Sequence, residues 1–437
     1  MIVPETLMAQ DRLPPAMEVI DDWMARNPQS MPPPVHRYDV GRMELFNEDR
    51  WQDVFREMRR EAPVNKVTGT IQGDYWNVCT HKGVQYVESL PELFSSSWKH
   101  GGISMIEPPK GVAHNYHMPM FIAMDPPDHS PRRRTVAPAF TPSEMVRLTQ
   151  VIRDRTGRVL DELPLGETID WVDRVSVELT TAMLAIVFDF PRDDERLLTY
   201  WSDWITAIEA GTIPVVAEGR VTATKEMTAY FSELWKARKA DCSGPDLLSI
   251  MLRSDTMGDM DAQEFIGTLM VLVTGGNDTT RNTMSSLAYA LDRFPDQRAL
   301  LEADPSIAAS AMPEIIRYAS PVVHMRRTAT RDTELMGQQI VAGDKVVMWY
   351  LSANFDETVF DNPEVLDLKR GNARKHLAFG YGIHRCVGAR LAELQLRVLI
   401  EEMAARRLRV HVTGQVRRGG GAFMHAFRKL EVQVERY

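Results

Sequence analysis

The chain has 437 residues, 44% hydrophobic and 25% charged, enough apolar material for a sizeable core under a polar surface. Its 51 basic and 60 acidic residues give a formal net charge of -9, which speaks against nucleic acid as the main partner. Cys79, Cys242 and Cys386 are its three cysteines, far apart and in no C-x-x-C pair, so neither a disulfide framework nor a zinc site is expected.

From the N-terminus, Met1 to Val35 is rich in Pro, Met and charge, lacks the apolar stretch of a signal peptide, and reads as an extended arm. No stretch reaches the roughly 18 apolar residues of a membrane span, so a cytoplasmic protein without a membrane anchor is expected. No linker, low-complexity tract or repeat divides the chain, which predicts one domain over 1–437. Strand patterning marks Val64 to Asn77, and apolar residues at helical spacing then predict helices over Pro142–Leu163, Trp171–Phe190, Asp194–Glu209 and Thr222–Ala240.

Asp261 to Leu291 reads as one long helix, with Phe265, Leu269, Leu272, Gly276, Thr279, Thr283 and Leu287 on one stripe. Gly275 and Gly276 each cost about 1 kcal/mol relative to alanine inside a helix, so close packing or a groove must compensate. Asn277-Asp278-Thr279-Thr280 follows at once. Further on, Glu314 and Arg317 stand at i and i+3 on a helix, where they face each other, and Pro313 predicts a kink or a late helix start. Gly337 and Gly343 mark turns beside strands at Thr333–Met336 and Lys345–Tyr350. Leu408–Thr413 and Leu430–Glu435 read as a C-terminal strand set. The fold class is therefore mainly α with a small β region.

Phe379-Gly380-Tyr381-Gly382-Ile383-His384-Arg385-Cys386-Val387-Gly388 precedes an amphipathic helix over Val387–Met403. Free N–H groups and the positive end of that helix favour an anion at Cys386, so a thiolate of lowered pKa is expected. A helix-start cysteine alone is compatible with a small buried residue, a hydrolytic nucleophile paired with His384, or a metal ligand.

The full pattern F-G-x-G-x-H-x-C-x-G resembles the haem-thiolate signature of the cytochrome P-450 monooxygenases, soluble bacterial type. The resemblance implies the family's triangular prism fold, with haem b between two long helices and Cys386 as axial iron ligand, whose thiolate favours O–O cleavage. It implies that Asp278 and Thr279 form an acid–alcohol pair delivering protons for the cleavage of O2, with the glycines opening a groove for it. Haem contacts carried over by the resemblance are His129 and Arg133 in Asp128-His129-Ser130-Pro131-Arg132-Arg133, Arg327 in His324-Met325-Arg326-Arg327-Thr328, His376, Phe379 and Gly380. Glu314, Arg317 and a third member, Arg370, are expected to form a charge network beneath the cysteine loop; the family's usual arginine position holds Val365 here.

Substrate contacts are expected from the loop Ser95–Ala123, from Trp201–Thr224, and at Val271, Thr274, Gly275, Val323 and Phe423, all apolar enough to suit an apolar small molecule. No nicotinamide or flavin fingerprint occurs, so NAD(P)H is expected to act indirectly, through a ferredoxin and a ferredoxin reductase. Arg132, Arg134, Lys375 and Arg385 are the expected basic dock on the cysteine side. The wording of the motifs is similar to the bacterial alkane and fatty-acid terminal hydroxylases, which implies omega-hydroxylation by a monomer. Sterol side-chain or terpenoid hydroxylation, and a non-catalytic haem-thiolate sensor, are the alternatives.

Overall fold

The computed structural model describes residues 13–27, 33–106, 118–207 and 213–437. Its central element is the helix Ala262–Arg293, whose start is fixed by Asp261: the carboxylate accepts the Glu264 amide at 2.8 Å, satisfying a donor that no helical carbonyl can reach. The first half of this helix packs Leu269, Leu272 and Val273 into one apolar cluster. The second half packs Met284, Leu287 and Leu291 into another. Between the two lie Gly275 to Thr283, the stretch poorest in large side chains.

A second buried helix, Ala389–Ala405, lies against Pro142–Asp161. Helices Glu178–Phe188, Arg196–Thr206 and Pro214–Arg238 cover one side of the long helix, and Ala308–Ala319 covers another. Hydroxyl and amide groups make cross-helix bonds in this packing: Thr180 Oγ1 donates to Asn277 Oδ1 at 3.0 Å, and Asn277 Nδ2 donates to Thr199 Oγ1 at 3.1 Å.

The β structure is small and divided. Five strands form a sheet in the order Val64–Val67, Tyr75–Val78, Lys345–Trp349, His324–Ala329 and Phe94–Ser95, in which only the Tyr75–Val78 and Lys345–Trp349 pair is parallel. Thr168–Asp170, Ala426–Arg436 and Leu408–Gly419 form a second sheet.

Several boundaries differ from the sequence reading for identifiable reasons. Val64 to Asn77 is a hairpin rather than one strand, because Gly69 and Gly73 adopt positive φ between its halves. Thr333–Leu335 pairs with Gln338–Ile340 across Gly337, while Lys345–Trp349 joins the large sheet. The expected extended arm contains a helix, Ala16–Arg26, with Ala16 and Ile20 buried against the core; its Pro-rich flanks concealed that spacing. The remainder of the arm at 1–12 and 28–32 lies outside the described residues, as do 107–117 and 208–212 of the expected substrate segments. Pro313 neither delays nor ends its helix, which runs through it from Ala308 to Ala319.

The carboxylate of Glu314 is fully enclosed. It accepts Arg317 Nε at 2.7 Å and Nη2 at 2.8 Å, Arg370 Nε at 3.0 Å and the Asp367 amide at 3.0 Å. Arg370 is thus the third member despite its shifted position, and Val365 contributes a carbonyl that receives Arg370 Nη2 at 3.0 Å. Arg317 lies 5.3 Å from both the Phe355 and Phe360 rings and donates to the Asn354 carbonyl at 2.8 Å. Asn354 Oδ1 then receives the Leu377 amide at 2.6 Å, so the network ends at the base of the cysteine loop. Removing the carboxylate strands two buried guanidinium groups, which typically costs about 3–5 kcal/mol. Glu314→Ala is therefore expected to lower the urea midpoint sharply and to leave little folded protein that takes up a prosthetic group, as read by unfolding curves and by absorbance after reconstitution.

Candidate active site around Cys386

The cysteine loop is closed by two backbone bonds, Gly380 N to Leu377 O at 2.8 Å and Cys386 N to Phe379 O at 2.7 Å. Gly380 (φ 68) and Gly382 (φ 63) occupy the left-handed region, which glycine enters at no steric cost, and a Cβ on Gly382 would run into the Glu88 carbonyl. The loop thereby presents Cys386, an exposed residue, to a cavity of about 320 Å³ that it helps to line. Its thiol is not lowered as expected from the helix start. Burial pushes it up, and the Gly388 amide, Arg133 and Arg385 only partly oppose that. Helix Ala389–Ala405 begins after Gly388, so Cys386 sits two residues short of its cap rather than at its first turn.

On the opposite wall, the long helix brings Val271, Thr274, Gly275, Asp278 and Thr279 to the same cavity. A Cβ on Gly275 would meet nothing within 4 Å, whereas one on Gly276 would lie 2.9 Å from Leu184 Cδ1. The two glycines therefore do different things: the first leaves room in the cavity and the second admits a neighbouring helix. Thr279, at the cavity wall, donates its Oγ1 hydrogen to the Gly275 carbonyl at 2.9 Å, which leaves the oxygen able to accept from a further donor. Asp278 receives Ser202 Oγ at 2.9 Å and Arg281 Nη2 at 2.6 Å, and Arg281 in turn holds Asp203 at 2.7 Å. Burial raises the Asp278 pKa against the pull of Arg281.

Phe423 reaches the cavity from the turn joining the C-terminal strands, but Val323 does not. Val323 is wholly buried in the cluster behind the sheet, and its neighbour Val322, facing the other way, lines the cavity beside Met424. The strand alternation of side chains makes that one-residue difference decisive.

The cations gather at the cysteine end. Arg133 and Arg327 line the cavity with Phe379 and Gly380, and Arg133 also donates to the Arg385 carbonyl. His129 stands behind this wall with its ring centroid 4.4 Å from that of His384, and neither of its buried ring nitrogens has a partner. His376 is not brought to the cavity: it packs on Phe379 at 5.4 Å, its Nδ1 receives the Ala378 amide at 3.2 Å, and burial lowers its pKa to about 3. The histidine that does line the cavity is His384, its Nε2 bonded to Ser96 Oγ at 2.8 Å. In sequence His384 is a fixed position of the cysteine motif and a candidate partner for a nucleophilic cysteine, with nothing to mark it as a haem contact. Glu88 was also missed, because nothing near it in sequence marks it as part of a site.

Among the described residues no group of three His, Cys, Asp or Glu side chains is arranged to hold a metal ion. A lone sulfur facing an apolar cavity, with Arg133, Arg327 and His384 lining it and the unpartnered His129 behind them, instead suits a flat, anionic prosthetic group that carries its own metal and takes one ligand from the protein. Haem fits these residues.

A mainly helical fold around such a cavity defines a protein of the haem-thiolate class. The family model for cytochrome P450 matches residues 307–417. Linalool 8-monooxygenase of Pseudomonas putida is 34% identical over 91% of this chain and 99% of its own length. A methyl-branched lipid omega-hydroxylase of Mycobacterium bovis is 31% identical over 91% of this chain and 95% of its own. The solved structure of cytochrome P450-153 from Novosphingobium aromaticivorans superposes with a TM-score of 0.87 at 57% identity, covering 92% of this chain and all of that one. The chain belongs to the cytochrome P450 family, with its triangular prism fold, and is a monooxygenase that uses haem and O2 with reducing equivalents from NAD(P)H delivered by partner proteins. Among the described residues no helix is long and apolar enough to cross a membrane.

The contrast between the two glycines is open to measurement. Gly275→Ala is expected to raise stability by up to about 1 kcal/mol, the usual helix gain, while weakening substrate binding, because its methyl stands in the cavity. Gly276→Ala is expected to lose stability through Leu184, and thermal melts with substrate titrations check both.

Proposed function

We propose that this enzyme hydroxylates the terminal carbon of a medium-chain alkane or fatty acid. The observation that carries this reading is the cavity itself, which is lined mainly by apolar side chains such as Met120, Phe140, Leu184 and Phe423 and runs from Cys386 past Thr279 toward Ile205. Such a lining suits an aliphatic guest with little polar anchoring. The name of the lipid omega-hydroxylase relative supports the position of attack.

In the proposed reaction one atom of O2 enters the C–H bond and the other leaves as water, which consumes a pair of electrons and a pair of protons. Haem b, held by Cys386 and flanked by Arg133, Arg327, His129 and His384, supplies the oxygen chemistry when bound. The protein's own part is positioning and proton delivery. Thr279, at the cavity wall, orders a water there, and Asp278 passes protons to it from the Ser202 and Arg281 side. Its raised pKa makes proton carriage near neutral pH easier than for an exposed carboxylate. The presence of both groups at the cavity wall favours turnover over a sensing role.

Electrons enter from a ferredoxin, itself reduced by a reductase, at the cysteine face of a cytoplasmic monomer. Arg134, Lys375 and Arg385 are exposed there and suit an acidic partner. Arg132 is withdrawn from that dock by its ion pair with Glu264 at 2.5 Å.

Substrate choice is tested by titrating n-alkanes, fatty acids, terpene alcohols and sterols while following the absorbance change that marks displacement of water from the iron. Tight responses to medium chains, with product oxygen at the terminal carbon, are expected; a tight response confined to sterols, or to terpene alcohols, overturns the assignment. Thr279→Ala is expected to bind haem and substrate normally but to release several-fold more peroxide per NAD(P)H consumed, and unchanged coupling would remove Thr279 from proton delivery.

A further inference from the structure

Glu88, on helix His81–Ser89, is a carboxylate with a 1% exposed side chain at the edge of the cavity, far in sequence from the groups that carry the chemistry. Three other segments meet on it. Its Oε1 receives Tyr350 Oη at 2.6 Å and Arg327 Nη2 at 3.3 Å, and its Oε2 receives the Tyr381 amide at 2.5 Å. Tyr350 follows the strand Lys345–Trp349, Arg327 belongs to the strand His324–Ala329, and Tyr381 lies between the two left-handed glycines of the cysteine loop. Glu88, Arg327, Tyr350 and Gly380 all border the same cavity as Cys386.

This arrangement does more than fill space. A buried carboxylate is costly unless it is paired, and an apolar residue of similar size would seat the helix without that cost. Arg327 is also bound on one side only by backbone, Nη1 donating to the Arg326 carbonyl at 2.8 Å, so Glu88 sets the direction of its other arm. We propose that Glu88 is a positioning residue for the haem: it aims Arg327 at a propionate, braces the glycine turn that carries Cys386, and places a negative charge beside the cofactor that holds its reduction potential down. The proposal rests on the reading of Arg327 as a propionate contact. Burial raises the Glu88 pKa, and Arg327, Tyr350 and the Tyr381 amide only partly oppose that rise; the charge of the carboxylate is matched by its ion pair with Arg327. A fixed anion near an electron acceptor disfavours the reduced state.

The test uses the holoenzyme and two readouts other than turnover, the midpoint potential of the haem and the rate at which haem transfers to apomyoglobin. Glu88→Gln, which keeps the shape and removes the charge, is expected to move the potential in the positive direction and to speed haem loss several-fold. A potential and a transfer rate equal to those of the unmodified enzyme overturn the proposal. Glu88→Asp keeps the charge but shortens the reach, so it is expected to leave the potential nearly unchanged and still to speed haem loss. It carries the test alone should Glu88→Gln not fold, and unchanged values of both quantities then overturn the proposal. Arg327→Gln separates the two readings. Retention of haem at the normal rate in that variant removes the premise about Arg327, whereas faster loss beside an unaffected Glu88→Gln removes only the role of Glu88.

Discussion

The site depends on one buried carboxylate holding two buried guanidinium groups. Glu314, Arg317 and Arg370 could be exchanged for apolar residues at no necessary loss of stability, since desolvating such charges consumes most of what their attraction returns. Their value lies in direction. Through Arg317 and Asn354 the network reaches the Leu377 amide, and from there two backbone bonds fix the loop that aims the Cys386 sulfur. A hydrophobic cluster could fill the same volume but would not specify where that sulfur points.

The long helix illustrates a second division of labour. Its two ends are buried in separate apolar clusters, which anchor it against rotation, and the middle is free to carry residues that would be poor choices elsewhere in a helix. Gly275, Asp278 and Thr279 reduce local helix propensity, yet they stand on a segment held from both sides. The penalty is spread over the ends, so small and polar residues can occupy the centre, at the cavity wall, without loosening it.

Much of this was legible in the sequence, and the failures have physical explanations. The motif around Cys386, the Asp278–Thr279 pair and the Glu314–Arg317 step were all visible because each is local, confined to a turn or two of chain. Arg370 was found despite its displaced position because a carboxylate with spare lone pairs can be reached from several backbone points. By contrast, His376 was chosen over His384, although the two lie eight residues apart on one segment; only the loop's fold decides which faces inward. Val323 and Val322 differ in the same way, by the pleat of a strand end. Glu88 left no signal at all, since its partners come from three other segments.

The N-terminal helix Ala16–Arg26 bears on the far side of the cavity. Asp21 pairs with Arg428 at 2.6 Å across 407 positions, and Asp49 meets His425 at 3.2 Å across 376. Arg428 lies on the strand Ala426–Arg436 and His425 directly before it, just after the turn carrying Phe423. Closing a loop over such separations costs more entropy than closing a short one, although the cost grows only slowly with length. One wall of the cavity, at Phe423 and Met424, is thus a seam stitched by ion pairs between segments some four hundred positions apart, and it stands complete only once both segments have been brought together.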